Sequence, residues 1–261
     1  MYLDYGTQTS PSPISLSIGT IKKPKLIDIS ELTFEKFNVF EVFLKMTPKD
    51  FYTDIEKDLA AEHWDILSDD EKSKVTLYDL VLKYKKLQEI YIEIFNFFFL
   101  ESVIFKEGLF ILLNDNIQQD NIMPENIRGV IHEKTFLEVL SILQQICCIY
   151  DKEEKIEELP FKNKTARKLY EKMAKAQKEE QKKKKADKDY TIPNIISSVS
   201  CQHPSINYLN VWDLTIFQLL DSFNRLRVNT IHEIDAIRVA VWGDEKKTFN
   251  AAMWYKNQYN A

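Results

Sequence analysis

Residues 77–100 read LYDLVLKYKKLQEIYIEIFNFFFL, and the spacing of their apolar side chains decides the fold. Leu77, Leu80, Val81, Tyr84, Leu87, Tyr91, Ile94, Phe95 and Phe98 recur at steps of three and four. That spacing places them on one face of a helix. Ile90, Phe97, Phe99 and Leu100 widen the stripe until its end is apolar all round, so this end must be buried. Just upstream, Ser68, Asp69, Asp70 and Glu71 match a capping box, in which the serine oxygen and the glutamate carboxylate each satisfy a free backbone amide.

Working outward, helices dominate. Ile29, Leu32, Phe37, Phe40, Phe43 and Leu44 predict an amphipathic helix ending near Met46, and Thr47 followed by Pro48 predicts the start of a second, short one. Val103 to Phe105 and Leu109 to Leu113, joined through Lys106, Glu107 and Gly108, predict a small β-hairpin over about residues 102–114. A helix from about Glu133 to Tyr150 turns Phe136, Val139, Leu140, Leu143 and Ile146 or Cys147 inward. A last helical region begins at Pro193. Trp212, Ile216, Leu219, Leu220, Phe223 and Leu226 form its stripe, and Ile234, Ile237, Val241, Trp242, Phe249 and Trp254 supply the rest.

With 261 residues and 44% hydrophobic content the chain can bury a sizeable core. Five glycines and eight prolines fall below average usage, roughly 7% and 5%, which argues against an all-β architecture. The expected fold is mainly α: a multi-helix globular fold with one hairpin and a long Lys-rich helix or linker. Its expected division is an extended or disordered arm over 1–27, rich in Ser, Thr and Pro, then a helical domain with the hairpin over 28–159. A basic segment over 160–190 and a C-terminal helical region over 191–261 complete it.

Several chemistries are excluded by counting. The five glycines, at 6, 19, 108, 129 and 243, are too far apart for either glycine-rich phosphate-binding motif. His132-Glu133 and His232-Glu233 lack the second histidine of a zinc-protease helix, since Phe136 and Ala236 occupy those positions. Cys201 and His203 have no further ligands in view, and a Pro-flanked loop accounts for them. Cys147 and Cys148 sit on an apolar helix, where burial raises the thiol pKa and leaves them inert. An odd number of cysteines, three, fits a reducing compartment. No catalytic residue, metal ligand or cofactor is nominated, and an enzyme is not expected. Nor is a signal peptide expected, because Met1 to Thr20 has no basic start and no continuous apolar core, nor a membrane span, because the most apolar run, Ile94 to Leu100, is far shorter than the roughly 20 residues that cross a bilayer.

From Lys162 to Lys188 the chain carries twelve Lys or Arg and four Asp or Glu, a local balance of +8 in a protein of net charge −5. Ala166, Leu169, Tyr170, Met173 and Ala174 give its first half a short apolar stripe, whereas in the second half, from Gln177 to Asp189 with Lys182, Lys183, Lys184 and Lys185, only Ala186 is apolar. Clustered lysines could neutralise phosphates. Arginine is nearly absent and Tyr170 is the only interior aromatic, so nucleic acid is the less favoured partner, behind a solvated helix that contacts acidic protein.

One resemblance is carried by Ile127-Arg128-Gly129-Val130-Ile131, by Phe136-Leu137-Glu138-Val139, by the Lys-rich segment and above all by Asn210 to Leu226 with its Trp212-Asp213-Leu214-Thr215, Gln218 and Arg225-Leu226 pattern. Over roughly residues 100–260 the chain resembles a family of tail-module proteins from bacteriophages of Gram-positive hosts. The likeness implies a non-enzymatic tail assembly protein, chaperone-like toward a tail protein such as the tape measure, working in the bacterial host cytoplasm. A structural part of the baseplate or neck, present in the virion, is the alternative, and a nucleic-acid-binding accessory factor the third. Phe97, Phe99, Trp242 and Trp254 are the expected apolar contact residues, against a competing reading in which all four are core; Lys182 to Lys185 are the expected charged ones. Self-association is a further expectation.

Overall fold

The computed structural model describes residues 2–52, 64, 67–68, 72, 74–114, 123–149, 189–245 and 247–256. Among these, about 59% are helical, and two small antiparallel sheets accompany the helices. The expectation of helices with one hairpin is therefore corrected to a mixed α and β fold.

The deciding stretch folds as two helices, α5 (Leu77–Lys83) and α6 (Lys85–Phe98), after α1 (Tyr5–Thr9), α2 (Leu26–Leu32), α3 (Phe34–Lys45) and the short turn α4 (Pro48–Asp50). Tyr84 separates the two with extended backbone, φ −113° and ψ 108°, so one apparent stripe is two stripes in different phase. A capping box starts α5 at Thr76, whose hydroxyl accepts from the Asp79 amide while Asp79 accepts from the Thr76 amide. Asp69, Asp70 and Glu71, the remainder of the box expected at Ser68, lie outside the described residues. A similar break divides the helix expected over 29–46: Thr33 takes φ 83°, ends α2, and caps α3 through its hydroxyl. The five-residue step from Leu32 to Phe37 marks the shift of phase.

Helix α6 is the centre of the core. Tyr91, Ile94, Phe95 and Phe98 are fully buried. Phe95 meets Phe110 edge-on at 4.9 Å, and Tyr91 meets Phe136 at 5.1 Å. The Tyr91 hydroxyl donates to the Phe43 carbonyl at 2.9 Å, which lets a polar atom sit in this aromatic cluster without cost.

The hairpin expected near 102–114 is present as β3 (Ser102–Lys106) and β4 (Leu109–Leu113), in register Lys106↔Leu109. Its two-residue loop, Glu107 and Gly108, has φ of 53° and 79°. Positive φ at both central residues suits the right-handed strand twist. Asn96 of α6 ties down β3, its amide accepting from Val103 N–H and donating to Val103 C=O at 2.8 Å each. A third strand, β5 (Ile127–Ile131), joins the far edge of β4; Leu113 and Ile127 pair across 14 positions, so no tight turn announces the strand, and Arg128 and Gly129 dilute its β signal.

Residues 2–27 correct another expectation. They form α1 and a second hairpin, β1 (Ile14–Leu16) with β2 (Gly19–Ile21), and Leu3, Ile14, Ile21 and Leu26 are buried. Ser, Thr and Pro dominate the composition, but a few apolar anchors suffice because the backbone is held too. The Leu3 amide donates to Gln145 Oε1 at 2.7 Å, and buried Lys23 donates to the carbonyls of Thr7 and Ser10. Ile18, at the hairpin tip, lies directly on Gly129 of β5. A Cβ at that position would stand 2.1 Å from the Ile18 carbonyl oxygen, so the approach requires glycine.

Helix α7 (Glu133–Ile146) follows β5 and buries Phe136, Val139, Leu140, Leu143 and Ile146 as expected. It ends at Ile146, four residues before Tyr150, with Cys147 as its C-cap and Cys148 in positive φ. The acidic link and the Lys-rich segment after it lie outside the described residues. Helices α8 (Ile192–Gln202) and α9 (Ile216–Trp242) complete the architecture. Ile195, Ile196, Val199, Val211, Ile216 and Leu219 belong to the same buried cluster as Leu3, Phe37, Tyr91 and Phe136.

Candidate partner-binding surface

Helix α9 is 27 residues long, about 40 Å at 1.5 Å per residue, and its two halves differ. The first half is clasped. Thr215 and Gln218 form its capping box. Around it the motif that carried the resemblance holds the N-terminal residues. Leu214 C=O accepts from Leu26 N–H at 2.8 Å, and Asp213 pairs with Lys25 at 2.9 Å. Gln218 donates to the Thr9 carbonyl at 2.8 Å. Asp221 accepts from the Tyr5 hydroxyl at 2.9 Å, and Arg225 donates to that same oxygen at 3.2 Å. These residues are structural, and the sequence did not show what they hold because every partner lies about two hundred positions away.

The second half stands clear of the core. Past Gly243 the chain turns back along one side of α9, where Arg225 donates to the carbonyls of Trp254 and Lys256 and the His232 ring lies 5.3 Å from Phe249. At about 100° per residue, Arg225, Asn229, His232 and Ala236 share that covered side. The opposite side carries Ile231, Ile234, Ile237, Val241 and Trp242, which are 43%, 61%, 65%, 64% and 80% exposed. Scattered exposed apolar residues are ordinary, but a continuous row on one helix face makes this a candidate contact surface.

The expected contact residues separate accordingly. Phe99 is buried and its backbone bridges to Ile21. Phe97 is half-buried, with Phe40 at 5.8 Å, Phe37 at 6.2 Å and the Lys22 ammonium over its ring at 5.2 Å. Phe97 belongs to the packing of α3 against α6, and Phe99 to that of β2 against the end of α6. Trp242 is on the open stripe, and Trp254 is exposed on the returning turn Met253–Tyr255. Lys182, Lys183, Lys184 and Lys185 lie outside the described residues. Ile231, Ile234, Ile237 and Val241 were not singled out, since their spacing is the same as that of an inward stripe.

Clefts offer less. One of about 370 Å³ is lined by Glu41, Lys45, Cys147, Cys148, Ile195 and Leu220 among others. Burial pushes the Cys148 thiol up to about 12, and raises Cys147 and, against the pull of Lys45, the Glu41 carboxyl. Protonated thiols are poor nucleophiles and poor metal ligands. A second, of about 270 Å³, is lined by His203, Asp221, Ser222 and Arg225. His203 Nδ1 already accepts from the amides of Ser205 and Ile206, and Cys201 faces the Tyr208 hydroxyl at 4.0 Å. His132 caps α7, accepting from Lys134 N–H at 3.2 Å. Among the described residues no group of three His, Cys, Asp or Glu side chains could hold a metal ion, and no helix is long and apolar enough to cross a membrane.

Comparison with known proteins adds one finding. The family of the YomV second domain matches residues 180–259. The C-terminal third of the chain, holding α8, all of α9 and the returning turn, is thus similar to a phage-derived domain. The likeness expected over about 100–260 is found here without the 127–139 part. No curated protein and no solved structure matches.

Proposed function

We propose that this protein is a non-enzymatic assembly protein of a bacteriophage tail, acting in the host cytoplasm by binding other protein chains through the open stripe of α9. The observation that carries the reading is the row Ile231, Ile234, Ile237, Val241 and Trp242, left bare in the segment that is similar to a phage-derived domain. A helix presenting such a row is complementary to another amphipathic helix. Tail proteins such as the tape measure are long and helix-rich, and need their apolar faces covered before assembly, so a chaperone-like role follows.

The test is capture from phage-infected cells with the tagged full chain and with I234D/V241D, followed by mass spectrometry. The wild-type chain is expected to bring down a tail protein and the variant to lose it; recovery of no tail protein by either overturns the proposal. Mass spectrometry of purified particles separates the two roles, because an assembly factor is absent from them and a baseplate or neck component is present in fixed copy number.

A further inference from the structure

The returning chain lies lightly on α9. No described residue from Asp244 to Lys256 is buried, and Trp254 and Tyr255 are 52% and 61% exposed. Its turn is built locally, Asp244 accepting from the amides of Thr248 and Phe249 at 3.0 and 2.9 Å. It leaves the helix through Gly243, at φ 77° with open space around the Cβ position. It reaches back to α9 through the Phe249 ring on His232 and through Arg225 Nη1, which donates to the Trp254 and Lys256 carbonyls at 3.3 and 2.9 Å. A cleft of about 290 Å³ stays open between Trp254 and the side chains of Asn229, His232 and Glu233. On this same side of α9, Asp221 Oδ1, Asn229 Oδ1 and His232 Nε2 are buried without a hydrogen-bond partner. Covering such atoms without meeting them opposes the segment that covers them. Asp221 Oδ1 has Arg225 Nε at 3.6 Å, an ion pair too long for a hydrogen bond, while Nη1 is given to the returning chain.

We propose that residues 244–256 form a strap that opens from α9 about Gly243 while the rest of the molecule stays folded, with Arg225 as its latch. Closed, Arg225 Nη1 holds the strap carbonyls. Open, the guanidinium closes on Asp221 Oδ1, and water reaches Asn229 and His232. Each state satisfies groups that the other leaves unmet, which is what a two-state element requires. Few buried apolar contacts place such a segment among the first parts of a fold to open. Opening bares the side of α9 opposite Ile231, Ile234 and Ile237, so that the second half of the helix becomes accessible all round. The strap opens whether or not the apolar row binds another protein.

Fluorine NMR of the full chain labelled with fluorotryptophan tests it, the Trp254 signal being assigned by its loss in W254F and its open position being taken from the chain unfolded in urea. In the wild type the Trp254 signal is expected to be split or displaced toward that position without urea, while the Trp212 signal keeps its folded position. N229L/H232F replaces two unmet polar groups by apolar ones of similar shape, and should lower the open-to-closed ratio about tenfold. D221N weakens the ion pair of the open state and should lower the ratio about threefold. Both variants therefore carry the Trp254 signal away from the urea position. Circular dichroism establishes that each folds; should N229L/H232F not fold, D221N decides alone. A Trp254 signal that moves only together with that of Trp212 overturns the proposal. So does a folded variant whose Trp254 signal stays in place or moves toward the urea position, since water then already serves those atoms in the closed state.

Discussion

Replacing Gly129 with alanine probes the contact between the N-terminal hairpin and the larger sheet. The new methyl would stand 2.1 Å from the Ile18 carbonyl oxygen and 2.5 Å from its Cα. Both are backbone atoms, so no rotamer change relieves the clash and the β1–β2 tip must lift by more than an ångström. Lifting it exposes part of Ile14 and Ile21, which are 8% and 0% exposed now. A fully buried aliphatic side chain contributes about 1.5–3 kcal/mol, and overpacking alone costs about 1–3 kcal/mol. A loss of about 3 kcal/mol is expected, read as a shift in urea midpoint without change of slope. For a chain of this size that is a fall in Tm of roughly 6–12 °C. Gly19→Ala is the comparison: its nearest neighbour is the tip of the buried Leu112 side chain at 2.5 Å, a side-chain atom where Gly129 meets backbone, so it should cost less. Equal costs for the two substitutions, or a change below about 0.5 kcal/mol for Gly129→Ala, would refute the packing of the hairpin on β5.

Tyr91→Phe removes the hydroxyl that satisfies the Phe43 carbonyl in the core, and denaturant unfolding should show a loss of about 1–2 kcal/mol. Thr215→Ala removes the N-cap of α9 and should cost about 1 kcal/mol, with faster proteolysis ahead of residue 26. Glu41 has its pKa raised by burial, so the folded state holds that proton more tightly than the unfolded one. Its contribution to stability falls as pH climbs from the ordinary carboxylate range through the raised value; Glu41→Gln should therefore stabilise the protein at pH 7 and be neutral at pH 3. In timed alkylation at pH 8, buried Cys147 and the Cys148 thiol, pushed up to about 12, should react far more slowly than exposed Cys201, and equal rates would contradict the burial.

Sequence periodicity was sufficient wherever a stripe and its partner lie within one helix or one tight turn. The inward face of α7, the β3–β4 hairpin with Glu107-Gly108 at its tip, and the Pro-led start of α8 were all legible for that reason. Tyr84 and Thr33 were not, because an apolar row can continue through an extended residue while the helix axis changes beneath it. Strand β5 pairs beyond the reach of a tight turn, Leu113 with Ile127, and the ordered N-terminal residues are held across the chain, Leu3 by Gln145; composition registers neither. The candidate surface was half visible. Trp242 was singled out, but Ile234, Ile237 and Val241 share their spacing with buried stripes, and spacing alone does not say whether a stripe is covered from within the molecule.

The clasp around Tyr5 has a consequence for biosynthesis. Tyr5 leaves the ribosome 216 positions before Asp221, its hydrogen-bond partner, and Thr9 leaves 209 before Gln218. Contacts this distant in the chain close slowly. The Tyr5 hydroxyl and the Thr9 carbonyl must therefore wait for these partners until the start of α9 has emerged. A nascent chain stalled short of residue 216 would hold the Leu3 contact to Gln145 but lack the α9 side chains that clasp Tyr5 and Thr9.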